Sequence, residues 1–448
     1  LAGKIKKIID DIIKRRSKGN PAIAEMTKAK FILKGINPNK FDSYSEDDPV
    51  IIEKLFKISK QMDSKNSKYD GINIKYAFST EFSEKEVAAD IKSKLNVYNA
   101  KIIIYFASSN FDQYNLSNLM KEAFKDCIVV GCSTSGEIVS GKLLKNSVVA
   151  MALNSNIVSD VKVEVIENMK KNLNVEAAFT SFEEYFNESS YMMNTTKFVG
   201  IILIDGVSKK EEKIMDLIGN RTNVFFVGGS AGDDCRFLKT YVCANGKAYT
   251  DSAVLIMLKI NDNTEFSIIK TQSFKCLDTV LTANEVNEEN REVIEFNNRP
   301  AILAYADAVG ADSIEDAKRH FMTNPVGLLI GKNNIFVRSP QQVKGTSILF
   351  YCNILKGMEV RLLQSTNIIE DTKKAIKDEV DEFGKIDGII NFNCIERTLQ
   401  LEKKNLEKEY GELFSDIPTI GFSCYGEEFI GHVSQTATML AFRSKTNI

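Results

Sequence analysis

At 448 residues the chain is too long for one ordinary core, and a content of 44% apolar and 26% charged residues predicts two or three folded domains rather than disorder. A net charge of −2 supplies no general basic field, so a phosphate-tracking role is not expected and nucleic acid is not an expected partner. The longest apolar runs, such as Phe198–Ile204 and Val148–Leu153, fall far short of the ~20 residues that span a bilayer, so no direct membrane insertion is expected.

Leu1–Arg16 is basic and amphipathic and does not read as a signal peptide; a start on Leu rather than Met suits an excerpt of a longer chain. Within residues 1–62, Ile5, Ile8, Ile9, Ile12 and Ile13 recur at helical spacing, and Gly19-Asn20-Pro21 ends that helix and starts another. A third helix is expected after Asp47-Asp48-Pro49, with Ile51, Ile52, Leu55, Phe56 and Ile58 on its apolar face. This region reads as a helical cap, and a docking surface for a signalling partner is its functional alternative. The polar stretch Asp63–Asp70 reads as a linker.

From residue 71 onward β-rich runs alternate with helices, and an internal repeat emerges. One copy has a strand at Lys101–Ala107, a helix near Asp112–Lys125, a strand at Cys127–Gly131 and a turn, Gly131–Glu137, before a strand at Ser147–Leu153. A looser copy has a strand at Phe198–Ile204, a helix at Lys209–Ile218, a strand at Asn223–Val227 and a shorter turn, Gly228–Asp234. Strands at Phe237–Cys243 and Ala253–Ile260 follow, with Asn245-Gly246 as a hairpin turn. Residues 260–365 are richer in strands: a helix is expected at Asp312–Arg319, Pro325–Gly331, Asn334–Arg338, Thr346–Tyr351 and Gly357–Leu363 read as a meander, and a helix is expected at Asn367–Phe383. The last copy has a strand at Ile386–Phe392, a long helix near Ile395–Leu413, a strand at Pro418–Gly421, the turn Gly421–Glu427 and a strand at Thr436–Phe442. The first and last turns share the spacing GxSxxGExxxG, ending at Gly141 and Gly431. Repeated strand–helix–strand–turn–strand units predict an α/β (α+β) fold of mixed sheets with outer helices.

The three turns combine glycines, hydroxyls and acids. Glycine permits positive φ and close approach, and consecutive amides in such a turn form an anion-binding concavity. Ser133, Ser135, Ser230 and Ser423 are candidate donors to a ligand carboxylate, and Glu137, Asp233 and Glu427 are candidate acceptors for an ammonium; Tyr425 joins them from within the third turn. The same pattern also fits glycines that only shape the turn and serines that bond the local backbone. Arg338, at a strand end, and Arg397, at a helix start, are candidate clamps for a carboxylate, with an ion pair to Glu427 or Glu137 as the equal alternative.

Gly228-Gly229-Ser230-Ala231-Gly232 matches the GxSxG elbow of serine hydrolases, but Asp233-Asp234 and a strand-like run follow it rather than a helix. Only His320 or His432 is available as base, so hydrolysis is the lesser reading and the chain is not expected to be an enzyme. Neither GxxxxGK[ST] nor a GxGxxG opening a helix after a strand is present, so nucleotide binding has no motif. The eight cysteines form no CxxC pair and have only two histidines beside them. They read as reduced, mostly buried thiols in a cytoplasmic protein, with no metal site.

Ile128–Gly141, Val227–Asp234, Pro325–Arg338 and Ile420–Phe442, in that order, resemble the FIST (F-box and intracellular signal transduction) family of bacterial type, and Cys394-Ile395-Glu396-Arg397 stands where that family usually carries Cys-x-x-Arg. The resemblance implies a FIST N-like domain over 71–260 and a FIST C-like domain over 261–448. It also implies a cytoplasmic sensory input module for a small ligand, with amino acids proposed. A histidine kinase, cyclic-dinucleotide enzyme or chemoreceptor is the implied output partner. By resemblance, Glu137, Asp233, Arg338, Arg397 and Glu427 fall on motif positions. No cofactor is expected; a related subgroup that binds haem and senses nitric oxide supplies the alternative, with His432 or His320 as axial ligand. The resulting expectation is a pocket between the two halves that closes on a small polar ligand and alters contacts with a separate output partner.

Overall fold

The computed structural model describes residues 3–17, 24, 27–28, 31–32, 35–52, 54–55, 73–97, 99–331 and 334–445, which fall into two units, Leu1–Ile72 and Asn73–Ile448. In the first unit, helix α1 (Lys4–Ser17) buries Ile5, Ile9 and Ile12 against Phe31, Ile36 and Leu55. The first amides of a helix have no partner within it. Here Asp47 Oδ1 accepts from Lys4 N at 2.8 Å and Ile5 N at 3.2 Å. Residues 49–52 are helical, and Asp48 Oδ1 accepts from Val50 N at 2.8 Å. The expected stop at Gly19-Asn20-Pro21, the apolar positions Phe56 and Ile58, and the linker Asp63–Asp70 lie outside the described residues.

The second unit is built from three copies of one motif. The first comprises β1 (Ile74–Ser79), α2 (Glu84–Leu95), β2 (Ala100–Ser108), α3 (Gln113–Ala123), β3 (Ile128–Thr134), the hairpin β4–β5 (Glu137–Val139 and Lys142–Leu144) and β6 (Val148–Asn154). The second comprises β7 (Val158–Ile166), α4 (Val175–Phe186), β8 (Phe198–Ile204), α5 (Glu211–Gly219), β9 (Phe226–Ser230), the hairpin β10–β11 (Val242–Ala244 and Lys247–Tyr249) and β12 (Ala253–Ile260). The third opens with β13 (Thr264–Gln272). An insert then intervenes: β14 (Phe274–Asn287), β15 (Glu292–Phe296), β16 (Arg299–Pro300), α6 (Ala301–Val309), α7 (Ile314–Arg319), β17 (Val326–Ile330), β18 (Asn334–Arg338), β19 (Pro340–Lys344), β20 (Ser347–Phe350) and β21 (Glu359–Ser365). The third copy resumes with α8 (Ile368–Phe383), β22 (Gly388–Cys394), α9 (Ile395–Lys404), α10 (Glu407–Glu412), β23 (Thr419–Cys424), the hairpin β24–β25 (Glu427–Phe429 and His432–Val433) and β26 (Thr436–Ser444).

Each copy lays down the same four strands, β1-β6-β2-β3, β7-β12-β8-β9 and β13-β26-β22-β23. Only the last pair in each is parallel, because a helix carries the chain across between its strands. The insert forms a sheet of its own, closed around Phe296, Tyr305 and Phe350. The inner faces of the three repeat sheets meet in one core, which joins Phe106 and Val130 to Ile201 and Val254 and to Phe392 and Leu440. Phe106 and Phe422 lie 4.5 Å apart there, ring centre to ring centre. Helices cover the outer faces, α2 and α3 on the first sheet, α4 and α5 on the second, α8 to α10 on the third. Strands covered on both faces need no polar alternation, hence unbroken apolar runs such as Val199–Ile204. Each such side chain contributes about 1.5–3 kcal/mol when fully buried.

Two local expectations fail. The helix expected over Ile395–Leu413 is broken, because Asn405 takes a left-handed φ of 56° and caps α9 before α10 begins. The strand expected over Phe237–Cys243 is a loop until Val242, with Phe237 itself at φ 53°. No described helix is long and apolar enough to cross a membrane.

Candidate functional site

The three Gly–Ser bends come together because the sheets exchange hairpins. β4–β5 of the first repeat completes the third sheet, β10–β11 of the second completes the first, and β24–β25 of the third completes the second. The register is the same each time. Glu137 pairs with Phe422, Val242 with Cys132, and Glu427 with Gly229, and those three partners occupy equivalent strand positions. The bends are thereby stitched backbone to backbone. Ser135 N donates to Ser423 O at 3.1 Å and Ser423 N to Gly136 O at 2.8 Å; Ser230 N donates to Gly426 O at 2.9 Å and Tyr425 N to Ser230 O at 3.0 Å; Gly232 N donates to Ser133 O at 3.0 Å. Glycine is required at 232, where a Cβ would lie 2.3 Å from Ser135 Oγ.

The serines serve these stitches. Ser133 Oγ donates to Gly232 O at 2.9 Å and accepts from Tyr241 N at 3.0 Å. Ser135 Oγ accepts from Asp234 N at 3.0 Å, and Ser423 Oγ shares a proton with Thr398 Oγ1 at 2.7 Å. All four signature serines are buried.

The acids are occupied too. Glu137 Oε2 accepts from Ser147 N at 3.1 Å and Oγ at 2.6 Å, and its Oε1 accepts the Thr134 hydroxyl. Glu427 Oε2 accepts from Thr436 N at 3.1 Å and from the Thr436 hydroxyl, and its Oε1 accepts from Cys424 Sγ at 3.3 Å. Burial pushes both carboxyls up to about 7, against the pull of these hydrogen bonds. Asp233 gathers the amides of Phe237, Leu238 and Lys239 at 2.9, 2.8 and 3.0 Å and accepts the Tyr425 hydroxyl, which in turn accepts from Asp233 N at 3.2 Å. The carboxylate closes a loop in which Asp234, Cys235 and Phe237 all adopt positive φ. As they stand, the three acids spend their acceptors on the protein's own donors.

The arginines lie apart from these acids. Arg338 Nε donates to Asn353 O at 2.9 Å and its guanidinium to Val337 O at 3.1 Å. Arg397 is fully buried; it donates to Asn393 Oδ1 at 3.0 Å, Ser273 Oγ at 3.3 Å and Thr372 Oγ1 at 2.8 Å, beside the Tyr410 ring. Neither pairs with Glu137 or Glu427 among the described residues.

The histidines bear on the two alternatives. Ser230 Oγ and His432 Nδ1 reach the same oxygen, Glu428 Oε1, at 3.3 and 2.9 Å. The carboxylate thus stands between hydroxyl and imidazole, the reverse of a triad, in which the imidazole touches the nucleophile. A haem ligand needs an open face. His432 is buried, and its Nε2 is only 2.8 Å from where a Gly426 side chain would begin. His320 ends α7, with Nδ1 3.3 Å from Asn324 Oδ1.

A different set of groups is left without partners. α9 starts at Cys394, and its first turn carries Glu396 into the interior. Glu396 Oε2, Ser339 Oγ and both side-chain polar atoms of Gln435 are buried near one another, but none makes a hydrogen bond of ordinary geometry. Burial pushes the Glu396 carboxyl up to about 7, while Ser339 and Gln435 approach closely enough to favour its ionised form. Ser339 is the corner between β18 and β19, held by Ser339 N to Ser434 Oγ at 3.2 Å and Tyr351 N to Ser339 O at 3.0 Å. Gln435 sits at φ 53°, just before β26. Half-buried Tyr351 stands beside Glu396 and Tyr425, and Phe237 stacks on Tyr425 at 4.6 Å with Tyr351 at 6.5 Å. Buried polar groups are normally satisfied, so this concentration of orphan donors and acceptors makes the three residues the candidate site. Glu396 lies inside the Cys394–Arg397 segment already singled out. Ser339, Tyr351 and Gln435 carry no comparable sequence signal.

The FIST N domain model matches residues 101–299 and the FIST C domain model residues 301–429. An uncharacterized protein of Methanocaldococcus jannaschii, MJ1623, is 22% identical over 324 residues, covering 68% of this chain and 61% of the relative. The chain therefore spans about 61% of the length of the curated relative it matches. With both domain models matched in order across the repeated body, the chain belongs to the FIST family of signal-transduction sensory domains.

Proposed function

We propose that the chain is a non-catalytic input module that binds an amino acid or a similar small polar ligand at Glu396, Ser339 and Gln435 and relays occupancy to a separate output partner. The observation that carries this reading is the set of four buried, unpartnered polar atoms on these three residues. Glu396 supplies an acceptor for an ammonium, and the Gln435 amide and Ser339 hydroxyl supply donors for a carboxylate. Tyr351 and Phe237 form an aromatic wall. The interlocked bends, with Glu137, Asp233 and Glu427 as their fastenings, are the rigid frame, and Ser423 and Tyr425 form its nearest edge. The relay rests on Ser339 and Tyr351 belonging to the insert while Glu396 and Gln435 belong to the third repeat. A ligand touching both biases one arrangement of insert against body.

The test is a thermal-shift screen of amino acids, small carboxylates and nucleotides. A ligand at about 100 times its Kd adds about 2.7 kcal/mol of stability. Glu396→Gln and Gln435→Ala are expected to abolish the shift while leaving the fold intact. A shift that survives both substitutions removes the site from this position.

A further inference from the structure

We infer that the chain carries a second, separate binding site, for a phosphorylated small molecule bearing a hydroxyl or amino group, in the lysine-ringed cleft between Met169–Leu173, the start of α5 and the turn at Glu288–Arg291. The cleft has a volume of about 510 Å³, within the range of small-molecule sites. Lys170, Lys171, Lys209, Lys210 and Lys213 all line it, and none of the five forms an ion pair among the described residues.

The acids at the cleft do not cancel this charge. Glu212 is already held by Arg291 at 2.6 Å and by Asn353 N at 2.9 Å, which leaves Glu288 and Glu289 against five lysines. The α5 cap, Lys210, makes no side-chain hydrogen bond to the first turn, so the helix start adds to the positive potential. Lysine ammonium groups around a concave site suit the point charges of a phosphate. A second observation specifies the rest of the ligand. Asn353 is among the residues lining the cleft, and its Oδ1 is buried just behind that lining and accepts no hydrogen bond. An unpaired acceptor beside cationic groups calls for a donor on the same molecule, as in a sugar phosphate or a nucleotide.

The site does not depend on the amino-acid reading, and the residues do not overlap. It does reach the bends: Arg291 bonds Glu211 at 2.7 Å, and Glu211 Oε1 accepts from Ser230 Oγ at 3.3 Å.

Full-length protein titrated with tripolyphosphate, ribose 5-phosphate and AMP, observed by ³¹P NMR, tests the proposal. Binding is expected for all three, weakened roughly tenfold or more by Lys171→Glu with Lys213→Glu. The charge-matched pair Lys373→Glu with Lys377→Glu, exposed on α8, is expected to leave it unchanged. Asn353→Leu is expected to weaken the two organic phosphates and spare tripolyphosphate. Absence of binding below about 1 mM for every probe, or equal loss in both charge-reversal pairs, overturns the proposal.

Discussion

Glu137 and Glu427 hold the same station in two different sheets: each opens an exchanged hairpin, and each accepts a backbone amide at 3.1 Å at the start of the return strand, from Ser147 just before β6 or from Thr436, the first residue of β26. The second repeat has Val242 at that station and uses Asp205 instead, which accepts from Thr240 Oγ1 at 2.5 Å and from the Asp251 amide.

Removing such a fastening leaves buried donors unpaired. Glu427→Ala and Glu137→Ala are each expected to destabilise the fold by about 3–5 kcal/mol. Urea unfolding followed by far-UV circular dichroism measures this. The chain has no tryptophan to report it by fluorescence. Glu427→Gln, which keeps one acceptor, is expected to cost less than half as much.

Glu137, Glu396 and Glu427 all have carboxyls pushed by burial from 4.5 to about 7. A folded value above the unfolded one means that the native state binds more protons, so stability is full below about pH 4.5 and is lost as pH rises through about 7. Glu212, held down to about 2, releases its proton well below that window and does not oppose the trend. Stability is expected to fall between about pH 5 and pH 8. Glu396→Gln is expected to flatten that slope and to be the more stable protein at about pH 8, by up to about 3 kcal/mol. Denaturation midpoints at the two pH values decide the matter.

Asp233 organises the loop through three amides and the Tyr425 hydroxyl. In Asp233→Ala the amides of Phe237, Leu238 and Lys239 are expected to exchange with solvent deuterium far faster, with a loss of about 2–4 kcal/mol. Tyr425→Phe removes two hydrogen bonds, to the Asp233 carboxylate and from the Asp233 amide, and is expected to cost about 2 kcal/mol with the three loop amides still protected.

Gly232→Ala puts a methyl 2.3 Å from Ser135 Oγ and 2.9 Å from its amide nitrogen. The second of these is backbone and cannot swing aside, so a loss of about 3 kcal/mol or failure to accumulate folded protein is expected. Soluble yield and thermal midpoint report it. Ser135→Gly with Gly232→Ala relieves only the hydroxyl contact and is expected to recover only part of the loss.

The repeat was legible because its bends need glycine, hydroxyl and acid at fixed spacing, and Gly131 to Glu137 reappears at Gly421 to Glu427. The exchange of hairpins was not. Strands as short as Glu137–Val139 and Val242–Ala244 show no period, and their partners in the sheet are remote in sequence. The break at Asn405 and the turn at Phe237 depend on left-handed backbone that a helical or alternating pattern does not announce. Glutamates 137 and 427 read as ligand acceptors because a sequence shows an acid but not the donors folded around it. Glu396 is not legible for the converse reason: its surroundings are made by Ser339 and Gln435, brought in from the insert and from the return of the last hairpin.

The cyclic exchange also orders events during synthesis. As the ribosome advances, β4–β5 has no edge to join until β23 exists, and β9 waits for β24–β25 of the third repeat. Two of the three sheets therefore stay open until the third repeat has been made, and during that interval their bare edges invite mispairing with other nascent chains.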